Sequence, residues 1–225
     1  MKNLNECLIP SEDGGVPLGD WDLGLGDVYT HFRNLKPKLL AHIIEADYVF
    51  GCVAWLTDPD ILHELSKKRG VCILIQKEDF LRPDGAIKDF HRKIYDAYHS
   101  LPSVSRLDFR IGLANDLSRC GDPTMEPVRV VGFKNKGPYG PRMHHKFALF
   151  AQHNPNSDRW DFPHTVWTGS FNWTKSASNS LENAVVFRET KAVKGYYLEF
   201  QQVLGLSEPP DWTSEYVAPQ WRIGS

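Results

Sequence analysis

The chain has 225 residues, of which 41% are hydrophobic and 24% charged, with a formal net charge of −2. That length is enough for one substantial core, the balance is that of a globular protein rather than a disordered tract, and the near-neutral sum excludes whole-molecule attraction to a polyanion. No apolar run reaches the ~20 residues that a bilayer-spanning helix needs, and Met1–Glu6 lacks the charged-then-apolar layout of a secretory signal, so a cytoplasmic protein without stable membrane association is expected.

Residues 1–28 are rich in Gly, Pro and Asp and show no period, and they read as an irregular N-terminal arm. Leu39, Leu40, Ile43 and Ile44 recur at helical spacing with Pro37 in the first turn, which predicts a helix over about 36–46. The run 48–56 reads as a buried strand. Asp58 is a candidate cap and Pro59 the first position of the next helix, whose inner face carries Ile61, Leu62 and Leu65. Gly70 ends it, and 71–76 is a second strand, so the unit is β-α-β and favours a parallel pair. A helix is predicted over 86–100, with Ile87, Phe90, Ile94 and Tyr98 in phase, then strands at about 106–111, 128–133, 146–151, 165–168 and 184–188, and a last helix over 193–204. Residues 29–205 thus form the main domain, and 206–225, with Trp212, Trp221 and several prolines, a tail packed irregularly on its surface. The predicted fold class is α/β, a mixed and mostly parallel β-sheet flanked by helices. Cys7, Cys52, Cys72 and Cys120 lie far apart without a C-x-x-C pair, and Cys52 and Cys72 sit inside apolar strand-like runs, which favours small buried hydrophobes there over a disulfide or zinc framework.

The chemistry concentrates between 143 and 183. A strand repeats its side-chain direction every second residue, so His144 and Lys146 point the same way and His145 the other, toward the domain interior or an interface. Gly169-Ser170-Phe171-Asn172-Trp173-Thr174 adds a hydroxyl and an amide in a Gly-led turn, and Glu182-Asn183 adds a carboxylate. A phosphodiester is an anion that repels nucleophiles, so its oxygens need neutralising. Lys146 supplies a point charge, Asn172 and Ser170 supply donors, and a neutral His144 imidazole can attack phosphorus. The stretch from Glu126 to Asp158 holds no acidic residue between them but carries Arg129, Lys134, Lys136, Arg142 and Lys146, which suggests an anionic substrate. Lys134, Lys136 and Arg142 are candidate phosphate contacts at a groove rim. Trp160 and Phe162, on the long connection 152–164, are candidate groove-lining aromatics, whereas Trp167 and Trp173 are expected in the core and His153 and His164 on exposed loops. No His/Asp/Glu/Cys set has ligand spacing, so no metal or other cofactor is expected.

His144-x-Lys146, then Gly169-Ser170-x-Asn172-x-Thr174, then Glu182-Asn183, resembles the signature of the phospholipase D superfamily. The wording Met143-His144-His145-Lys146-Phe147-Ala148 with Gly-Ser-Phe-Asn-Trp-Thr is most similar to its single-motif nuclease branch, that of Nuc-type bacterial endonucleases and Zucchini-like proteins. The upstream strand, Thr57-Asp58, helix and Lys68-Arg69-Gly70-Val71 also fit, so the resemblance covers most of 36–205. It implies a phospholipase D-like α/β/α sandwich over 29–205 and a metal-independent hydrolase acting on DNA or RNA. It further implies a phosphohistidine intermediate on His144, whose far ring nitrogen Glu182 would hold. Single-motif members pair two chains, so the resemblance also implies a homodimer with one composite site, His144 of one copy as nucleophile and His144 of the other as acid. The departure is Ala151, where the family carries an aspartate five residues after the lysine; Asp158 and Asp161 lie further on. Two rivals follow. A phospholipase D-type lipid phosphodiesterase would need an exposed apolar rim, and a catalytically inactive nucleic-acid-binding or scaffold module would be consistent with Ala151.

Overall fold

The computed structural model describes residues 3–12, 15–84, 88–109, 112–116, 123–134 and 141–222. Its main sheet contains β1 (Gly24–Leu25), β2 (Val28–His31), β3 (Tyr48–Val53), β4 (Gly70–Gln76), β5 (Val128–Val131), β6 (Lys146–Ala151), β7 (Thr165–Gly169) and β8 (Ala184–Phe187). The helices are α1 (Leu35–Glu45), α2 (Pro59–Leu65), α3 (Asp89–Ser100) and α4 (Thr190–Gly205). The strands lie side by side in the order β1-β2-β8-β7-β6-β3-β4-β5.

Every residue of β3 and β4 is buried, as the uninterrupted apolar runs require for strands covered on both faces. Alternation divides their side chains. Val49, Ile73, Phe150 and Trp167 face α1, α2 and α3 in one core, while Phe50, Cys52, Leu74 and Leu149 face Val193, Tyr197, Phe200 and Leu204 of α4 in the other. Each such side chain contributes roughly 1.5–3 kcal/mol of burial. The result is the expected α/β/α sandwich around a mixed sheet.

The balance of strand directions differs from expectation. β3–β4 and β4–β5 are parallel, and the other pairings are antiparallel. Parallel neighbours need a crossover, here through α2 and α3, whereas β6, β7 and β8 follow one another through direct reversals. At α2 the Asp58 carboxylate accepts from the N–H groups of Asp60 and Ile61, Pro59 occupies the first turn, and Lys36 binds Asp58 at 2.8 Å.

Other departures have local causes. The expected strand at 106–111 is a 3₁₀ turn at Arg106–Asp108, capped by the Ser105 hydroxyl, which aims Phe109 into the core. Residues 110–111, Ile87 and Cys120 lie outside the described residues. The end of the N-terminal arm is regular, because β1 and β2 extend the sheet beyond β8. The tail is anchored rather than superficial. Trp212 and Trp221 are both buried, Glu208 makes an antiparallel bridge to Val130, and the Arg129 guanidinium stacks 3.9 Å from the Trp221 ring centroid. This covers edge strand β5, which would otherwise present unpaired backbone groups.

Candidate active site

The candidate side chains meet at one end of the sheet, where β3 and β4 finish and β6 begins. Lys146 pairs with Val53 and Phe147 with Thr168, so the start of β6 lies beside the ends of β3 and β7. Gln76, the last residue of β4, clamps the approach to His144. Its Oε1 accepts from the Met143 N–H at 2.8 Å, and its Nε2 donates to the Phe133 carbonyl at 2.7 Å. The Ala54 N–H then donates to the His145 carbonyl at 2.9 Å, continuing the register past the last paired strand residues.

His144 and Lys146 are brought together. The Lys146 ammonium donates to the His144 carbonyl at 2.8 Å. Partial burial, then the positive charges of Lys146, Arg142 and His145, hold the His144 imidazole below the ordinary histidine value. The neutral, nucleophilic form is therefore favoured. Partial burial also lowers Lys146, offset in part by Glu182. Cavities of about 600 Å³ and about 520 Å³ open on either side of His144 and share Glu199 as a wall.

The Gly-led turn closes the other side. A Cβ on Gly169 would lie 2.2 Å from the Asn183 carbonyl oxygen, so only glycine admits this approach of β7 to the residue before β8. Ser170 fits between the two segments. Its N–H donates to the Asn183 side chain at 3.0 Å, its Oγ accepts from the Asn183 N–H at 3.0 Å, and its hydroxyl donates to the Glu182 carboxylate. Asn172 is half-buried with its Oδ1 unpaired among the described residues. The next residue locks to β3's extension, the Trp173 N–H donating to the Trp55 carbonyl at 3.0 Å.

Several expected placements change. The Glu182 carboxylate accepts from the Ser170 hydroxyl, and among the described residues it makes no hydrogen bond to the His144 ring. Within one chain the Ser170 hydroxyl is engaged by Glu182 and by the Asn183 N–H. His145 is not a core histidine; its imidazole is half-exposed and lies 3.3 Å from the Glu199 carboxylate of α4. Trp160 is buried against Tyr48, Phe50 and Phe109, with centroids 5.0–5.3 Å away, and cannot line a groove. Phe162 packs edge-on to Tyr197. Lys134 is engaged by Asp79 at 3.2 Å and Glu78 at 3.8 Å. Arg129 is fully buried and holds the tail. Arg142 is exposed beside His144, and Lys136 lies outside the described residues. Trp167 and Trp173 are in the core as expected.

Trp55, Gln76 and Glu78 shape the site without having been singled out from the sequence. All three lie at or just beyond the ends of β3 and β4, and the carboxyl ends of parallel strands are where α/β sheets gather their sites; that position was the available clue.

An α/β sandwich carrying an imidazole and an ammonium at the strand ends, beside a hydroxyl–carboxylate turn, has the residue types that chemistry on an anionic phosphodiester would need. Residues 46–204 match the family described as Cardiolipin synthase, PLD-like domain. An uncharacterized protein of Acanthamoeba polyphaga mimivirus is 33% identical over 201 residues, covering 83% of this chain and 68% of that one. The chain therefore belongs to the phospholipase D superfamily of phosphodiesterases. Among solved structures, NucT from Helicobacter pylori superposes with a TM-score of 0.50 at 18% identity, covering 79% of this chain and 94% of the other. Nuc from Salmonella typhimurium, a phospholipase D family member, gives 0.47 at 19% identity, covering 80% and 95%. Among the described residues no helix is long and apolar enough to cross a membrane, and no three His, Cys, Asp or Glu side chains form a group that could hold a metal ion.

Proposed function

We propose that the protein is a metal-independent phosphodiesterase that cleaves nucleic acid internally, through a phosphohistidine on His144 in a composite site built by two copies of the chain. The observation that carries this reading is the juxtaposition of a His144 held toward its neutral form with the Lys146 ammonium, at an open groove on the strand ends. His144 attacks phosphorus and expels the alkoxide, while Lys146 and the Asn172 amide take up charge on the phosphoryl oxygens. Each chain supplies one such histidine, so the proton for the leaving oxygen comes from His144 of a second copy related by a two-fold axis. Water then cleaves the phosphohistidine, with the same second histidine as base. Arg142, exposed beside His144, favours an extended polyanion.

A second reading has its own support. Asn5 donates to the carbonyls of Ser178 and Ser180, at 3.3 and 3.2 Å, which sets the N-terminal segment beside the turn leading to Glu182. Leu4, Leu8, Ile9 and Leu181 are exposed there. Such an apolar rim suits a lipid phosphodiester.

The test offers single-stranded DNA, duplex DNA, RNA and phospholipid vesicles, each in excess EDTA, to the parent protein and to His144→Ala. Cleavage of a nucleic acid that survives EDTA and vanishes in the variant supports the first reading. Release of lipid head group alone supports the second. Sedimentation as monomer at micromolar concentration, with activity intact, would sink the composite site.

A further inference from the structure

We propose that Trp55 is a positioning residue for His144 and Lys146, locked in place by Glu78, which Lys134 holds in turn. The proposal rests on the phosphodiesterase reading of the same site. These groups cross the strand ends in sheet order: His144 and Lys146 from β6, Trp55 beyond β3, Glu78 beyond β4 and Lys134 beyond β5.

Each link is a direct contact. The Trp55 indole and the His144 ring meet nearly at right angles, with centroids 5.5 Å apart and planes at 80°. The Lys146 ammonium is 5.8 Å from the indole centroid, at the outer limit of cation–π attraction. The indole N–H donates to Glu78 Oε1 at 2.7 Å, a charge-assisted bond that stops the ring from swinging. Glu78 Oε2 faces the Lys134 ammonium at 3.8 Å, and the Glu78 carbonyl accepts from the Trp212 indole at 3.1 Å. The Lys134 N–H donates to the Glu215 carbonyl at 2.8 Å, so the relay is footed on the tail that Trp212 anchors.

This arrangement answers a question the site otherwise leaves open. His144 is exposed and no hydrogen bond to its ring nitrogens is made among the described residues, so a ring contact is what steadies the imidazole. Trp55 is the aromatic ring against it. Glu78 also requires explanation, because an anion near a phosphodiester site should repel the substrate. Its charge is engaged by the indole N–H and Lys134, which turns a liability into a fixing point. Burial, the leading cause of His144's lowered proton affinity, is then partly Trp55's work.

The experiment measures the His144 titration by NMR in the intact chain, beside hydrolysis of bis(p-nitrophenyl) phosphate, in the parent and in Trp55→Ala, Trp55→Phe, Glu78→Gln and Glu78→Ala. Thermal melts confirm that each variant folds. Trp55→Ala should move the His144 midpoint up toward 6.5 and lower kcat by about tenfold to a hundredfold, the scale of a misplaced reacting group, with KM nearly unchanged. Trp55→Phe keeps a ring but loses the tether, and should fall between. Glu78→Gln keeps an acceptor for the indole and should rescue most of what Glu78→Ala loses. An unmoved His144 titration in Trp55→Ala would overturn the proposal. So would a raised KM at constant kcat, which would make Trp55 a substrate-stacking surface. A parent protein without hydrolytic activity would sink the functional reading alone, because the titration reads the Trp55–His144 contact independently of turnover.

Discussion

Lys77 is the sharpest test of how the tail is held. Its side chain is completely buried just beyond β4, where the ammonium forms an ion pair with Glu208, donates to the Ser214 carbonyl at 2.9 Å and to the Tyr216 carbonyl, and lies 5.4 Å from the Trp212 ring centroid. The Glu208 side chain is only 10% exposed. Lys77→Met keeps the volume and removes the charge, leaving Glu208 buried without its partner. Breaking one side of a buried pair costs about 3–5 kcal/mol. In a chain of this size each kcal/mol moves the thermal midpoint by about 2–4 °C, so a fall of roughly 6–20 °C is expected. Lys77→Met/Glu208→Gln removes both charges and should recover about 1–2 kcal/mol, since the desolvation penalty disappears with the pair. Thermal and urea unfolding at neutral pH give the stabilities, and limited proteolysis should show earlier cleavage within 206–222. A loss below about 1 kcal/mol in the single variant, or a double variant worse than either single one, would refute the account of the tail as pinned by this ammonium.

Three further outcomes follow from the site. Because burial and the Lys146, Arg142 and His145 charges disfavour protonated His144, its neutral form persists as pH falls, and the acid limb of kcat/KM should have its midpoint below the ordinary 6.5; Arg142→Gln should move that limb upward, and a downward move would contradict the charge assignment. Ser170→Ala and Glu182→Ala break the same hydrogen bond, so each should slow turnover by about tenfold and the double variant by little more than either; fully multiplicative losses in single-turnover assays would show that the two act separately. Ala151→Asp should lower the melting midpoint while leaving kcat within about twofold below that midpoint; a large gain in rate would mean that position 151 communicates with the site.

Legibility from the sequence tracked how local the determining physics was. β6 occupies 146–151 as expected, because Lys146–Ala151 carries a full strand's pattern within itself. Asp58 and Pro59 announce α2 for the same reason: a cap and a first-turn proline act within a single turn. What stayed hidden depends on distant partners. Lys77 and Arg129 look like surface cations, yet their partners Ser214, Tyr216, Ser207 and Gln220 lie 78–139 residues away. Trp160 sits on a reversing connection where exposure is the default, but Tyr48 and Phe50 of β3 and the distant Phe109 gather around it. At the site, residue types and spacing identify the cast without the pairings. Glu182 could serve an imidazole or a hydroxyl, and only the closure at Gly169 selects Ser170.

Ala151 shows why a departure from a motif must be read in three dimensions. It stands five positions beyond Lys146 on an extended strand, which places it about 16 Å away, at the end of β6 opposite His144 and Lys146. The residue is fully buried in the α4-side core and pairs in register with Tyr48. A carboxylate already serves that end of the sheet: the Asp47 N–H donates to the Ala151 carbonyl at 3.1 Å, and Asp47 Oδ2 accepts from the His153 N–H at 2.8 Å. An aspartate at 151 would bring a second charge into an apolar pocket beside Asp47, with desolvation and like-charge repulsion acting together. Alanine is therefore what this core demands, and its presence removes no group that could touch a substrate. The case for an inactive scaffold must stand on the His144–Lys146 end of the strand, where the imidazole, ammonium, amide and carboxylate all remain.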